Sequence, residues 1–589
     1  MVLADWRKRS QAVLLALGIV AVIPNSTLAQ TPLNPEIQIG LIQRFGEEEN
    51  DKLVLTPLAG DALTVTFETG GQSQTLTTQK LTLEVGEEPL TQPILQEWVV
   101  LSSHRSFESA EESANQWKEK GIATEVAQPN SWQVWAKRED YNTPMLRRLL
   151  LESLHEAGHT NTFIDSRVLD ESPQAAFIAN GYRYNRHTFR ITSANRRVQI
   201  AENGSSKAEL YGGDFKLQPN AYGTYTLVNQ VPIELYLRGV VPHEIGPSAP
   251  QTAVEAQAVL ARTYALRNLR RFAIDNYELC ADTQCQVYYG LDGVVPRTDR
   301  AIAATQGQVL TYNGELVDAL YSSTTGGISA RFSDVWNGVD RPYLQPVVDS
   351  LAVAWDLAAR PLSDEANFRS FISLQNRFNE DDWPTFRWKR SGTFAQITEG
   401  VKEYLTNRKN PMANLKAVTG LTVTERSDTG RVQTVLVNTD VGDFELHKNE
   451  VVSALIPPRS QLFYLDPWYE EIKENDKKED KTNGDTSTSH KNTVVSTPTV
   501  EQAAPVQKGY TFVGGGFGHG VGMSQTGSYR LGENGWPYQR ILQFYYPNTQ
   551  LLPISNDIVF WQDPGTTSDT TELEAESVTE TDNPAFSLP

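Results

Sequence analysis

Four segments of the chain hold side chains that could do chemistry. The first is Leu237-Arg-Gly-Val-Val-Pro-His-Glu-Ile-Gly-Pro-Ser248, where Glu244 stands in apolar company. A carboxyl group beside Val240, Val241 and Ile245 is partly desolvated, which raises its pKa towards the value that a general acid needs near neutral pH. The same spacing describes an ordinary solvated loop glutamate, and residue types leave both readings open. The pattern reads as an apolar strand ending at Pro242, a turn bounded by Pro and Gly that carries Glu244, and a helix from Thr252 to Leu269. Ser248 caps that helix, with Gln251 three residues on. Alanines at 253, 256, 258, 261 and 265 let another element approach the helix closely. Glu255 and Arg262 lie seven apart on one of its faces. They read either as a structural ion pair or with Arg262 gripping a ligand or orienting Glu244.

The second segment, Cys280-Ala-Asp-Thr-Gln-Cys-Gln-Val-Tyr-Tyr-Gly290, contains the only two cysteines in the sequence. In an exported chain a local disulfide between Cys280 and Cys285 is the default. Free thiols are the alternative, and so is a zinc site, which would require two further ligands. The third segment is Tyr321-Ser-Ser-Thr-Thr-Gly-Gly-Ile-Ser329, behind an apolar strand Leu316–Leu320, and the fourth is Gly514-Gly-Gly-Phe-Gly-His-Gly-Val-Gly-Met-Ser-Gln-Thr-Gly527. Such glycine density lets backbone come close to a ligand or to another strand. No Lys-Ser/Thr closes the glycine run, so it is not a phosphate loop, and it lacks the strand-then-helix setting of a dinucleotide fingerprint. Neither Ser323 nor Ser524 stands in a G-x-S-x-G elbow. His519 reads equally as a ligand contact or a buried hydrogen-bonding residue.

These segments must be positioned by a chain of 589 residues, too long for one core, so two to four domains are expected. Residues 1–29 read as an export signal: Arg7, Lys8 and Arg9, an apolar run from Ala12 to Ile23, then Thr27-Leu-Ala29 as the cleavage site. Nothing later is apolar enough to span a bilayer. Export leads to a periplasmic or cell-wall setting, poor in nucleotide cofactors, and no cofactor or metal is expected. A net charge of −20 argues against nucleic acid, whose binding is driven by Lys and Arg releasing phosphate counterions. Strand-like alternation marks a small β region over 37–90. From 96 to 167 the order is strand, helix, strand, strand, helix, strand, with Ser106 capping the first helix. Short strands follow Phe189. Residues 469–507 are polar and read as a disordered insertion between 189–468 and a glycine- and aromatic-rich block at 508–561 that completes the same core. Residues 562–589 read as an acidic disordered tail. The fold class is a mixed, multi-domain α+β.

The βαββαβ order of 96–167 resembles the SPOR module, a small peptidoglycan-binding fold. The four chemical segments together resemble the SpoIID/LytB family. The resemblance is carried by Val240-Val-Pro-His-Glu244, Glu255-Ala-Gln-Ala-Val-Leu-Ala-Arg-Thr-Tyr-Ala265, Cys285-Gln-Val-Tyr-Tyr-Gly290, Tyr321-Ser-Ser-Thr-Thr-Gly-Gly327, Trp336, Pro342-Tyr-Leu344 and Phe386-Arg-Trp388. Glu425 to Val432, Gly518-His-Gly-Val-Gly-Met-Ser-Gln525 and Tyr545-Tyr-Pro547 complete it. It implies a lytic transglycosylase acting on glycan strands of peptidoglycan stripped of stem peptides, with Glu244 as its acid and then its base. It also implies substrate contacts from Arg262, Gln286, Tyr288, Ser323, Gly326, Gly327, His519, Ser524 and Gln525. An ordinary glycosidase would need a second carboxylate, for which Asp318 and Asp334 are the candidates. Two departures stand out. Glu244 lies between His243 and Ile245 where relatives more often carry Ser-Glu-Met, and Thr283-Gln-Cys-Gln286 lacks the His that some members use to hold zinc. The competing function is a non-catalytic peptidoglycan-binding activator of a cell-wall amidase.

Overall fold

The computed structural model describes residues 33–48, 51–202, 205, 207–469 and 506–562. The expected signal at 1–29, the insertion apart from Tyr469, Val506 and Gln507, and the tail beyond Gln562 lie outside the described residues. Helices and several separate sheets both build the molecule, as an α+β chain requires. Among the described residues no helix is long and apolar enough to cross a membrane.

The alternating N-terminal residues form strands, but these strands join others from far along the chain. Glu36–Phe45 pairs antiparallel with Tyr225–Pro232 and parallel with Leu279–Cys280 in a seven-stranded sheet. Ile37 and Ile39 point inward at strand period and are buried in one core with Leu227 and Val231. The N-terminal strands therefore support the segment leading to Glu244.

The βαββαβ order is present as Leu81–His104, helix α1 (Phe107–Glu119), Thr124–Ala127, Trp132–Ala136, helix α2 (Pro144–Glu156) and Phe163–Ala179. Across the sheet Phe163–Ala179 neighbours Leu81–His104, then Trp132–Ala136, then Thr124–Ala127, all antiparallel. Ser106 caps α1 by accepting the Ser109 N–H. The strand Leu81–His104 runs through residues 90–96, where the sequence parts two domains, and also pairs with Lys52–Pro57.

Helix α3 (Ile233–Glu244) replaces the expected strand and turn, so Glu244 ends a helix. Pro242 lies in the last turn, where it removes the one hydrogen bond that its N–H would have made to the carbonyl four residues back. Burial of Tyr236, Leu237, Val240 and Val241 holds the helix in place of propensity. Helix α4 (Gln251–Arg267) follows with Pro250 at its cap position and no side-chain cap, so the expected role of Ser248 is not realised. Helix α4 is buried on nearly every side, Gln257, Arg262 and Arg267 included. Ala253, Ala258, Ala261 and Ala265 pack into a core shared with α3 and the N-terminal sheets. Ala256, Val259, Leu260 and Tyr264 pack into a second core with Val317, Val521, Leu542 and Tyr545.

The strand expected over Leu316–Leu320 shrinks to Glu315–Leu316. Beyond it, Tyr321–Ser322 pairs parallel with Met523–Ser524, which lays the third chemical segment against the fourth. Gly522, at φ +74°, makes this approach possible, because a Cβ there would strike the Leu320 carbonyl at 2.0 Å. Phe463–Tyr469 and Gln507–Gly515 are antiparallel neighbours, and Arg387–Thr393 lies on the far side of the latter. Tyr469 and Gln507 are thus paired strand residues at the two ends of the insertion.

Candidate active site

Three of the chemical segments close around the end of α3. Glu244 Oε1 accepts the N–H of Val287 at 2.8 Å. A disulfide between Cys280 and Cys285 ties the loop that presents Val287. Tyr321 hydrogen-bonds the carboxyl group from the third segment. Its hydroxyl accepts from Gln286 Nε2 at 3.1 Å, and the Tyr236 hydroxyl donates to Gln286 Oε1 at 3.2 Å. From the fourth segment Gln525 Nε2 donates to the Glu244 carbonyl at 2.9 Å, and Tyr529 donates to the Ile245 carbonyl. Two main-chain acceptors at the end of α3 are thereby satisfied.

Burial raises the Glu244 carboxyl above its ordinary range, and hydrogen bonds from Val287, Tyr321 and Gln525 oppose that rise without cancelling it. The negative end of the α3 dipole acts in the same sense as burial. Burial and the neighbouring Glu244 charge push the Tyr236 and Tyr321 hydroxyls well above the usual phenol range, so both stay neutral donors. A protonatable carboxyl group held among neutral donors is the arrangement that general acid–base chemistry uses.

The carboxyl group faces a cleft of about 940 Å³. Tyr321, Ser323, His519 and Gln525 share its wall with Glu244. Burial lowers the His519 imidazole to about 4, so it is neutral at physiological pH. Its Nδ1 accepts the Val521 N–H at 3.0 Å, which leaves the proton on Nε2. Ser322 was not singled out in the sequence, yet its buried Oγ lines the cleft and has no hydrogen-bond partner. The opposite wall comes from the N-terminal module through Arg105, Phe107 and Glu108. That module is fastened by Glu108 to buried Arg271, by Glu111 to Arg270 at 2.5 Å, and by Trp132 Nε1 to Gln284 Oε1 at 3.1 Å.

Several expected contacts do not reach the cleft. Arg262 is fully buried and grips Glu234 at 2.8 Å with both Nε and Nη2, so neither the pairing with Glu255 nor the contact with a ligand is formed. Tyr288 is buried and donates to Asn229 Oδ1 at 3.0 Å. Gly326 and Gly327 pack against Leu462 and Phe378, and Ser524 is buried with its hydroxyl on Glu380. Gln286 is buried too and acts through Tyr321. Of the two candidate second acids, Asp318 lies between Arg267 and Arg341, which hold it well below the carboxylate range despite burial. Asp334 accepts from the Thr429 hydroxyl and the Arg331 N–H. The second carboxylate that does line the cleft is Glu108, already bound to Arg271. Zinc does not fit the residues present. Cys285 is spent in the disulfide, and Gln284 stands where the His of zinc-holding members would be. Among the described residues no three His, Cys, Asp or Glu side chains are grouped to hold a metal ion.

The largest omission of the sequence reading is Glu380. Its buried carboxylate accepts from Thr325 N at 2.6 Å, Thr325 Oγ1 at 2.9 Å, Gly327 N at 2.8 Å and the Ser524 hydroxyl. It therefore joins the strand that bears Tyr321 to the one that leads into Gln525. Asp349 lies beside it and is raised well above the carboxylate range by burial and by the Glu380 charge. Asp349 Oδ1 accepts from Asn379 and Tyr545, whereas Oδ2 has no such partner and is the oxygen on which the raised pKa favours a proton.

Residues 221–312, which contain α3, α4 and the disulfide, match the family model described as Stage II sporulation protein (SpoIID). The chain carries a SpoIID family domain. Residues 330–482, which contain Asp349 and Glu380, match a domain of unknown function (DUF8618). Among curated relatives, the Amidase enhancer of Bacillus subtilis (strain 168) is 29% identical over 327 residues, 54% of this chain and 40% of that protein. An uncharacterized protein of Brachyspira hyodysenteriae (strain ATCC 49526 / WA1) is 26% identical over 58% of this chain and 72% of its own length. Stage II sporulation protein D of Bacillus subtilis (strain 168) is 24% identical over 59% of this chain and 83% of its own length. The match thus spans well under half of the amidase enhancer. Glu244 and its hydrogen-bonding loop are SpoIID elements, whereas the Glu380 carboxylate below them belongs to the adjoining domain.

The disulfide gives a first expected result. It closes a short loop, so chain entropy assigns it about 2 kcal/mol. Its reduction should release Val287 and Gln286 before the cores open. We expect dithiothreitol to raise amide exchange at Gln286 and Val287 with two thiols titrated and far-UV dichroism retained. Unchanged exchange at both residues in the reduced protein would show that the loop holds its shape without the bond.

Proposed function

We propose that this protein is an exported peptidoglycan lytic transglycosylase with Glu244 as its single acid and base. The observation that carries the reading is a carboxyl group kept protonatable by burial and faced by neutral donors in the wall of a long cleft. In this mechanism Glu244 gives its proton to the oxygen joining N-acetylmuramic acid to N-acetylglucosamine, and the bond from the muramic anomeric carbon breaks. The carboxylate then takes the proton of the muramic C6 hydroxyl as its oxygen bonds to the same carbon. A 1,6-anhydro ring forms, the proton count of Glu244 is restored and no water is consumed. The Val287 N–H and the Tyr321 hydroxyl stabilise the carboxylate between the two transfers.

A hydrolase would need a second carboxylate with its lone pairs on a water, and Glu108, the other one lining the cleft, is committed to Arg271. The name of the Bacillus subtilis amidase enhancer supports a second reading, activation of a cell-wall amidase by a peptidoglycan-binding protein. Mass spectrometry of soluble products from denuded glycan strands separates the three. Fragments ending in 1,6-anhydro-N-acetylmuramic acid are expected, reducing ends would assign a hydrolase, and no fragments together with faster amidase turnover would assign the activator. Glu108→Gln should keep the anhydro product and change its yield less than tenfold. Loss of product in a folded Glu108→Gln protein would make that residue part of the chemistry.

A further inference from the structure

The charged residues lining the cleft are Arg105, Arg271, Arg390, Arg459, Glu108 and Glu244, a positive excess in a chain of net charge −20. Arg271 is neutralised by Glu108. Among the described residues Arg105, Arg390 and Arg459 meet no carboxylate at ion-pair distance, although the chain holds 72 acidic residues against 52 Lys and Arg. Arg105 donates to Ser453 Oγ at 2.7 Å, and Arg459 stands over the exposed Phe517 ring at 5.8 Å. Arg105 also lines a second cavity of about 370 Å³ with Arg408, Lys448, Glu425 and Glu450, where Arg408 and Glu450 lie 4.0 Å apart. Burial and the charge of Arg408 both act against protonation of Arg105. The three arginines come from separate parts of the chain: the turn before α1, the strand Arg387–Thr393 and the loop before Phe463–Tyr469. Their convergence on one cleft is a product of the fold.

We infer that Arg105, Arg390 and Arg459 form a strip that reads carboxylates displayed along the glycan, namely the lactyl carboxylates of muramic acid. The inference rests on the glycan reading of the cleft and deepens it. A lactyl group recurs on every second sugar. It is an anion only where the stem peptide has been removed, because the peptide converts it to a neutral amide. A guanidinium pairs with a carboxylate through two parallel hydrogen bonds, a geometry that an amide cannot match. Stripped strands are thereby distinguished from peptide-bearing ones by the charge at the lactyl position, and the wall built by the N-terminal module takes part through Arg105.

The test measures binding to full-length protein carrying Glu244→Gln, so cleavage does not enter the readout. Three probes are compared: denuded glycan strands, the same strands with lactyl carboxylates converted to methylamides, and strands that keep their stem peptides. Denuded strands should bind at least about tenfold tighter than the methylamides, the worth of one charge-assisted contact. That advantage should shrink as salt rises. Adding Arg390→Gln and Arg459→Gln should bring denuded strands down to the methylamide affinity, with the thermal midpoint unchanged because Arg390 is exposed and neither side chain has an ion-pair partner. Equal affinity for denuded and methylamidated strands would overturn the inference. So would tightest binding to peptide-bearing strands, which would give the strip to stem-peptide carboxylates. Failure of the lytic reading shows separately, as absence of anhydro ends from the wild-type protein.

Discussion

Glu244→Gln is expected to lower kcat for release of anhydro-ended fragments by at least about a thousandfold, with KM changed little. General acid–base catalysis contributes roughly a hundredfold to ten-thousandfold, and in the proposed mechanism one residue serves both transfers, which places the loss at the upper end. Gln preserves the shape of the neutral acid and an oxygen for the Val287 N–H, so the cleft should keep its form. The pH dependence has a definite sign. Burial raises the Glu244 pKa, so the protonated form persists to higher pH than in a solvated glutamate, and kcat/KM should fall on the alkaline side as that raised value is passed. The Tyr321 hydroxyl bond lowers this pKa. Tyr321→Phe should therefore move the alkaline limb to higher pH, apart from any loss of rate. Linkage gives an independent check. A carboxyl group whose folded pKa is raised contributes stability below its unfolded pKa and loses it as pH rises through the folded value. Glu244→Gln mimics the protonated form, so its thermal midpoint should exceed that of the wild type at pH 8 and match it at pH 4. A variant that still releases anhydro ends would remove Glu244 from the chemistry.

Residue type and spacing singled out Glu244 but not the element that carries it. Val240-Val-Pro-His reads as a strand and turn because β-branched residues and proline disfavour helix, yet full burial of Tyr236, Leu237, Val240 and Val241 overrides that preference. The alanines of α4 were legible as a site of close approach, since two cores press on that helix from different sides. Arg262 illustrates the limit of helical spacing: its partner, Glu234, lies on α3 and on no shared face with it. Glu108 stands in the first turn of α1 and in no motif, and only docking of the module brings it to the cleft. Glycines 326 and 327 signalled a close approach correctly, but the approaching partner is protein and not ligand. Glu380 was beyond reach because it stands in no motif, and its donors, Thr325, Gly327 and Ser524, come from two distant ones.

Those donors make Glu380 the site of the second large effect. Glu380→Gln should inactivate the protein and loosen the cleft, whereas Asp349→Asn should be tolerated. In the Glu380→Gln variant one acceptor becomes an NH₂ group facing donors from Thr325, Gly327 or Ser524, all buried. Breaking a buried charged contact costs about 3–5 kcal/mol. The damage falls on the paired strands Tyr321–Ser322 and Met523–Ser524, which aim Tyr321 and Gln525 at the end of α3. Asp349 behaves differently because burial and the Glu380 charge keep it protonated. An asparagine in its place can donate to Glu380 through Nδ2 while its oxygen keeps the bonds from Asn379 and Tyr545. Amide hydrogen exchange separates positioning from general loss of stability. Glu380→Gln should raise exchange over 321–327 and 523–527 while α1 and the N-terminal sheets stay protected, with kcat down about a hundredfold or more, as expected when reacting groups shift by an ångström. Asp349→Asn should leave exchange and the alkaline pH limb where they are. Equal damage from the two variants would mean that Asp349, and not Glu380, carries the buried charge, and the direction of the proton between them would be reversed.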